Sequence, residues 1–323
     1  MWKRWASAGC FVGTSFLVAG AYAASPSYPT RPIRIIDGFP PGGSADFMAR
    51  VLGPKFTERL GQNVIVDNRP GASSTLGAEI VARATPDGYT LMMGVMTPLA
   101  VAPSLYPKIG FDLLKDFAYV SWVGIGSNVL LAHPSVPAKS TADLVELART
   151  KTLRYGTSGV GSIGHLAMEL LRIRTGSGFA HVPYKGGAPS VVAVVSGEVE
   201  LAMASVAAVA SMVQAKKLNA LAVTSAKRAS VLPSVPTIAE SGVPGFDVTQ
   251  YFGVLAPAGT PASVVSLLNA EVRRAIQLDD VRARFATQAL DPAASTPEEF
   301  RASTKAEIEQ WARVVKEAKI TPN

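Results

Sequence analysis

Apolar runs alternate with segments of helical period along almost the whole chain. Runs rich in β-branched residues predict strands over 33–36, 64–67, 90–94, 129–133, 153–157, 180–184, 201–204, 220–224 and 253–256. Helices are expected between them, several with readable starts. Ser140 can cap a helix with Asp143 at its third position and Leu144, Leu147 and Ala148 on the apolar face. Thr260-Pro261 and Thr296-Pro297 each set a capping residue before a first-turn proline. The last helix aligns Phe300, Ile308, Trp311, Val315 and Ala318 near a 3.6 period. Such alternation indicates an α/β protein with largely parallel sheets. One helix, over 46–60, contains Gly53-Pro54, where proline removes a hydrogen bond and crowds the preceding turn. A kink or short break is expected near Leu52.

The unit 33–60 carries the first chemical signal. A strand runs into Phe39-Pro40-Pro41-Gly42-Gly43-Ser44-Ala45-Asp46, and an amphipathic helix follows. Prolines stiffen the approach, and glycines let the backbone turn tightly against a ligand. The helix then begins with unpaired N–H groups and a partial positive charge, which suits an anion. Asp46 can serve as a general base, but helix capping explains it better.

The N-terminus sets the compartment. Lys3 and Arg4 precede an apolar stretch from Phe11 to Ala19, and Ala21-Tyr22-Ala23 fits a small-x-small cleavage site. Residues 1–23 are therefore expected to be a signal peptide, and the protein to be periplasmic. The rival, an uncleaved anchor, needs an apolar run of about 20 residues, roughly twice what is present. Cys10 precedes the apolar core rather than following it, which argues against lipidation. Cleavage removes the only cysteine, so neither a disulfide nor a thiol remains. It also leaves 29 Lys and Arg against 24 Asp and Glu, a mild +5. The basic residues are scattered, with no patch interleaved with aromatics, so no nucleic-acid partner is expected. The apolar-rich stretch 191–213 is interrupted by Glu198 and Glu200 and reads as buried strand and helix, not as a membrane span. About 300 residues usually divide into two domains.

Three further loops follow strands. Gly159-Val160-Gly161-Ser162-Ile163-Gly164 matches G-x-G-x-x-G and opens a helix in a unit of dinucleotide-binding length. The acid that should hold the ribose is missing, since the next strand runs into Lys185-Gly186-Gly187, and an exported protein lacks a nicotinamide supply. Ser158, Gly159 and Ser162 then read as a second polar helix start. In the next loop Tyr184 offers a ring and hydroxyl, and Lys185 reads more simply as a solvated lysine. Thr97 is a polar candidate, against an ordinary turn residue before Pro98. Catalytic patterns are poor. His133, His165 and His181 are the only histidines, and neither G-x-S-x-G nor H-E-x-x-H occurs. His165 and Glu169 share a helix face, but two ligands make a weak metal site and a hydrogen-bonding role is the better reading. No enzyme activity, metal or cofactor is expected.

These loops, in this order, resemble the periplasmic substrate-binding proteins of the tripartite tricarboxylate transporter class, the Bug family. The resemblance rests on 39–50 (FPPGGSADFMAR), 64–94, 103–117, 158–171 (SGVGSIGHLAMELL), 181–190 (HVPYKGGAPS), 218–246 and 252–261, collinear over nearly the whole mature chain. It implies a two-domain Venus-flytrap, type II-like fold with the ligand in the cleft. Domain 1 would combine 24–127 with 250–323, and domain 2 would span 128–249. It further implies that a ligand carboxylate is held by N–H groups of the first loop, partly through waters. Carried over, that loop is Phe39, Pro40, Gly42, Gly43 and Ser44, together with Asp46, and with Thr97 nearby. Across the cleft the matching positions are Ser158, Gly159, Ser162, His165, Tyr184 and Lys185.

Two departures matter. Asp37-Gly38 stands where relatives more often carry an apolar residue, and Met203-Ala204-Ser205 lacks an Asp that many relatives use for polar ligands. The latter points away from amino acids and toward a plain or aromatic carboxylate. The expected function is non-catalytic capture of a small carboxylate by a monomer, with delivery to large and small membrane subunits of a transporter. The alternatives are an exported sensor with a signalling partner, and an NAD(P)-binding enzyme using 159–164.

Overall fold

The computed structural model describes residues 1–2, 28–106 and 108–321. Most of the expected signal peptide and its cleavage site lie outside the described residues. The N-terminal part contains β1 (Ile33–Asp37), α1 (Ser44–Leu60), β2 (Val64–Asn68), α2 (Thr75–Ala82), β3 (Thr90–Val95), α3 (Met96–Leu105) and β4 (Phe117–Gly126). The middle holds β5 (Asn128–Ala132), α4 (Thr141–Thr150), β6 (Leu153–Thr157), α5 (Ile163–Thr175), β7 (Phe179–Pro183), α6 (Gly187–Val195), β8 (Leu201–Ser205), α7 (Val206–Gln214) and β9 (Asn219–Val223). The chain ends with β10 (Gln250–Pro257), α8 (Ala262–Ala275), α9 (Asp279–Ala286), β11 (Asp291–Pro292) and α10 (Pro297–Ala318).

Two sheets result, ordered β11-β4-β10-β3-β1-β2 and β7-β6-β8-β5-β9. They are mixed rather than largely parallel. β1 pairs parallel with β2 and β3, and β6 parallel with β7 and β8, as helical crossovers require. β10 is antiparallel to β3 and β4, and β5 is antiparallel to β8 and β9. The antiparallel strands are those where the chain passes between sheets. β4 leaves the first sheet and β5 enters the second within a residue, and β10 returns with Gln250 opposite Gly126. β4 itself was not anticipated. Seven of its ten residues are buried, spread over both faces, and the other three are half-buried, so the polar alternation that marks a half-exposed strand is absent.

The expected break in the first helix does not occur, because α1 runs unbroken through Gly53-Pro54. Gly53 is buried against Val64, while Pro54 is exposed, so the carbonyl it frees can turn to water. Thr260 does not cap α8. Its hydroxyl donates to the Pro257 carbonyl at 2.7 Å, and Pro261 occupies the cap position. Ser140 accepts from the Asp143 N–H at 3.1 Å as expected. Residues 191–213 become the end of α6, β8 and α7, and among the described residues no helix is long and apolar enough to cross a membrane.

α3 and α10 tie the two sheets together. Ala100, Val101 and Leu105 of α3 and Trp311, Val314 and Val315 of α10 share one core with Tyr155, Leu166, Leu170 and Met203 of the second sheet's layers. At its other end α10 buries Phe300 in the core beneath the first sheet, edge-on to Tyr119 at 5.0 Å. A capping box fixes this helix. Thr296 accepts from Glu299 N at 3.1 Å, and Glu299 accepts from Thr296 N at 2.8 Å. Thr296→Ala should lower unfolding free energy by about 1 kcal/mol in urea titration; an unchanged midpoint would mean that the box contributes nothing.

Candidate functional site

The first loop is shaped from behind by a buried polar network. Asp37, fully buried at the end of β1, accepts from Phe39 N at 3.1 Å and from Asn68 Nδ2 at 3.1 Å. Asn68 Nδ2 also donates to the Phe39 carbonyl, and Asn68 Oδ1 accepts from Arg50 at 3.1 Å. Arg50 Nε reaches Asp46 Oδ1 at 2.9 Å, and Asp46 Oδ2 accepts from Gly42 N at 3.0 Å. Asp46 therefore clamps the turn from the third position of its helix. Gly42 has φ of 91°, which a side chain would disfavour, so the sharp bend needs glycine there. Burial pushes the Asp37 carboxyl up to about 6, against the two donors that lower it. Burial also acts to raise Asp46, but its bonds with Arg50 and Gly42 hold it below the usual range. The front of α1 carries no comparable partner: Gly43 caps it without any side-chain hydrogen bond.

The second loop is folded onto its own side chains. Thr157 Oγ1 accepts from Gly159 N at 3.2 Å and lies 2.6 Å from His181 Nε2. His165 Nδ1 accepts from Gly161 N at 3.1 Å, and Ser162 Oγ from His165 N at 3.3 Å. The His165 and His181 rings stack at 3.9 Å, with Tyr155 on the far side of His181 at 5.1 Å. Burial holds both imidazoles down near 4, His181 further lowered by His165, so both are neutral at ordinary pH. The Tyr155 hydroxyl closes the stack on Glu169 at 2.7 Å.

Between the sheets the two loops face one cavity of about 560 Å³, within the size range of small-molecule sites. Of the residues expected at the site, Phe39, Pro40, Gly43, Ser44, Ser158 and Ser162 line it. Asp46, Gly159 and His165 belong to the two networks above rather than to the lining, and Gly42 is exposed at the bend, its N–H held by Asp46. Thr97 is buried, its hydroxyl 3.4 Å from Glu307 Oε2, and burial pushes that carboxyl up to about 8. Tyr184 donates to Glu198 at 2.7 Å; burial and that carboxylate push its hydroxyl up to about 12. Lys185 is exposed at the surface, away from the cavity. Sequence reasoning did not assign Pro41, Ala45, Val160, Gly161 or Ile163 to the site although they lie in its two loops, and it missed Ser73, Val95, Pro98, Val101, Leu105, Tyr106, Gln250 and Phe252 altogether. Only β3 followed directly by a helix start hinted at the α3 wall. The walls come close where Leu105 meets the second loop: a Cβ on Gly161 would lie 2.8 Å from Leu105 Cδ1.

Among the described residues no cluster of His, Cys, Asp or Glu could hold a metal. The G-x-G-x-x-G loop does not present its first two glycine N–H groups to a pyrophosphate, since Thr157 and His165 already occupy them.

The family described as a tripartite tricarboxylate transporter family receptor matches residues 48–320. The chain belongs to this family of periplasmic solute-binding receptors. Protein BugT of Bordetella pertussis is 39% identical over 312 residues, which cover 96% of this chain and 95% of that protein. Among solved structures, Rpa4515 of R. palustris, determined with adipate, shares 36% identity at a TM-score of 0.76, covering 92% of this chain and 100% of that one. MatC of Rhodopseudomonas palustris, determined with bound malate, shares 31% at a TM-score of 0.72, covering 89% and 100%.

The neutral histidine pair gives this receptor a defined acid response. Each ring has its folded pKa depressed from 6.5 to about 4. Between those values the unfolded chain binds protons that the native state refuses. The stability each ring contributes is full above 6.5 and is lost as pH falls toward 4, at up to about 1.4 kcal/mol per pH unit. Asp37, raised to about 6, acts in the opposite sense over part of this window, so the wild type must be compared with a variant. His181→Gln should flatten the acid limb of a urea-derived stability profile by roughly one proton; an identical slope would show that His181 titrates normally in the fold.

Proposed function

We propose that this receptor captures a small carboxylate between its two sheets and delivers it to the large and small membrane subunits of a transporter. The observation that carries the reading is the cavity itself, walled on one side by a helix start that no side chain caps. N–H groups there are free to turn to an anion, directly or through water. α3 likewise begins at the cavity without a side-chain cap. Adipate in one relative and malate in another give the reading its chemical direction.

Magnitudes favour a two-sided site. A helix start contributes about 0.3–1 kcal/mol to an exposed anion and up to about 2 when partly buried. Micromolar binding needs about 8 kcal/mol. Closure that excludes water and brings in the second wall must supply the remainder. On this proposal 24–127 with 250–323 form one domain and 128–249 the other, with the hinge at the paired crossings near Gly126 and Gln250. The receptor is exported after loss of 1–23 and acts as a non-catalytic monomer.

A thermal-shift screen of residues 24–323 against mono-, di- and tricarboxylates, amino acids and aromatic acids tests the proposal. A ligand at about 100 times its Kd should add roughly 2.7 kcal/mol, a shift of a few degrees; silence from every acid would overturn it. Gly43→Val tests the loop. The nearest protein atom to an added Cβ is Pro40 O at 3.7 Å, so the variant should fold, with Tm lowered by at most a few degrees for the poorer cap residue, yet bind at least tenfold more weakly. Undiminished affinity would remove the loop from the site.

A further inference from the structure

Charge behind the first loop is unevenly balanced. Asp37 is fully buried at the end of β1, and its two partners, Phe39 N and Asn68 Nδ2, are both neutral. Arg50, the cation of this network, gives its guanidinium to Asp46 and to the Asn68 side-chain oxygen instead. The surrounding elements add no compensating charge among the described residues. β3 sets Met93 opposite Asp37 in register, and Ser74 and Gly77, at the start of α2, pack against Gly38. β2 and the residue after it carry Asp67 and Arg69 on either side of Asn68. These two pair with each other at 3.0 Å, and Arg34 also meets Asp67. Asp37 and the cavity thus share one residue: the Phe39 N–H is bonded to the buried carboxyl, and Phe39 lines the opening.

We infer that this receptor takes up a proton together with its carboxylate ligand, and that Asp37 is the residue that receives it. The inference rests on the proposed carboxylate site and adds a second, coupled guest. An ionised Asp37 and a carboxylate in the cavity are like charges on two sides of one short loop. Arg50 offsets Asp46, so the network keeps one unbalanced negative charge while Asp37 is ionised and none once it is protonated. Even roughly 10 Å apart, at an effective dielectric of about 20, two like charges disfavour each other by more than tenfold. A proton on Asp37 is compatible with both donors, because a carboxylic acid retains acceptor capacity for Phe39 N and Asn68 Nδ2. Burial already pushes the free Asp37 carboxyl up to about 6. Occupation of the cavity raises it further, across neutral pH, so protons are taken up and binding tightens as pH falls from 8 toward 6. The gain levels off where Asp37 is protonated before the ligand arrives.

Calorimetric titration of residues 24–323 with succinate, adipate and benzoate between pH 6 and 8 tests this; the tightest acid of the thermal-shift screen joins them if it is another. Affinity should be about fivefold higher at pH 6 than at pH 8, although loss of the acids' own charge acts the other way. At pH 6.5, titrations in buffers of differing ionisation enthalpy should show about half a proton taken up per ligand bound. Asp37→Asn should abolish the uptake and make affinity independent of pH over this range. Glu307→Gln removes the other raised carboxyl, which stands behind Thr97 of α3, and should leave both pH effects in place. This second variant decides between the two acids should Asp37→Asn not fold. Wild-type binding that is flat with pH and moves no proton overturns the inference while leaving the carboxylate site standing. Uptake that persists in Asp37→Asn, or is lost in Glu307→Gln, does the same. No binding by any of these acids at any of these pH values, with the broad acid screen also silent, overturns the site itself.

Discussion

On the proposed function, a carboxylate entering this cavity leaves water and meets no cationic side chain among the described lining residues, so backbone dipoles must compensate its charge. That requirement explains why the first loop is built as it is. Its N–H groups are useful only if they are held in place without being satisfied from within the protein. The support therefore comes from behind: Asp37, Asn68, Arg50 and Asp46 bind Phe39 and Gly42 and leave the start of α1 open toward the cavity. Buried acids in such a network are costly unless fully bonded. Each of these two carboxylates has at least two donors.

The opposite loop solves another problem with similar parts. Thr157, His165 and Ser162 take up the Gly159, Gly161 and His165 N–H groups, and two neutral stacked imidazoles brace the turn from inside. α3 belongs to both halves of this arrangement. Its start faces the first loop, and its later turns pack in the second sheet's core, so movement of one sheet against the other must pass through it.

The strand-loop-helix around Phe39–Asp46 was legible because its features are local: a β-branched run, paired prolines and glycines, then a helical period. The same holds for the Thr296 capping box, where residues three apart decide the geometry. Features set by distant contacts were not legible. Thr97 was singled out as polar, but its hydroxyl turns to Glu307, 210 residues away, and Pro98 faces the cavity instead. β4 escaped because a strand buried on both faces lacks alternation, and its partner β10 lies more than a hundred residues on. Pro54 suggested a broken helix, but its exposed position lets tertiary packing override the local cost. The apolar α3 sequence shows no period that would reveal one face as a cavity wall.

On the proposed function, uncapped backbone donors recognise negative charge without help from a cationic side chain. The decisive comparison is calorimetry of residues 24–323 with the tightest-binding acid of the thermal-shift screen and with its amide, because the two share shape and body and differ in charge. The acid should bind at least about a hundredfold more tightly, a difference of about 2.7 kcal/mol. Equal affinities would contradict it, since the cavity would then be recognising the body alone.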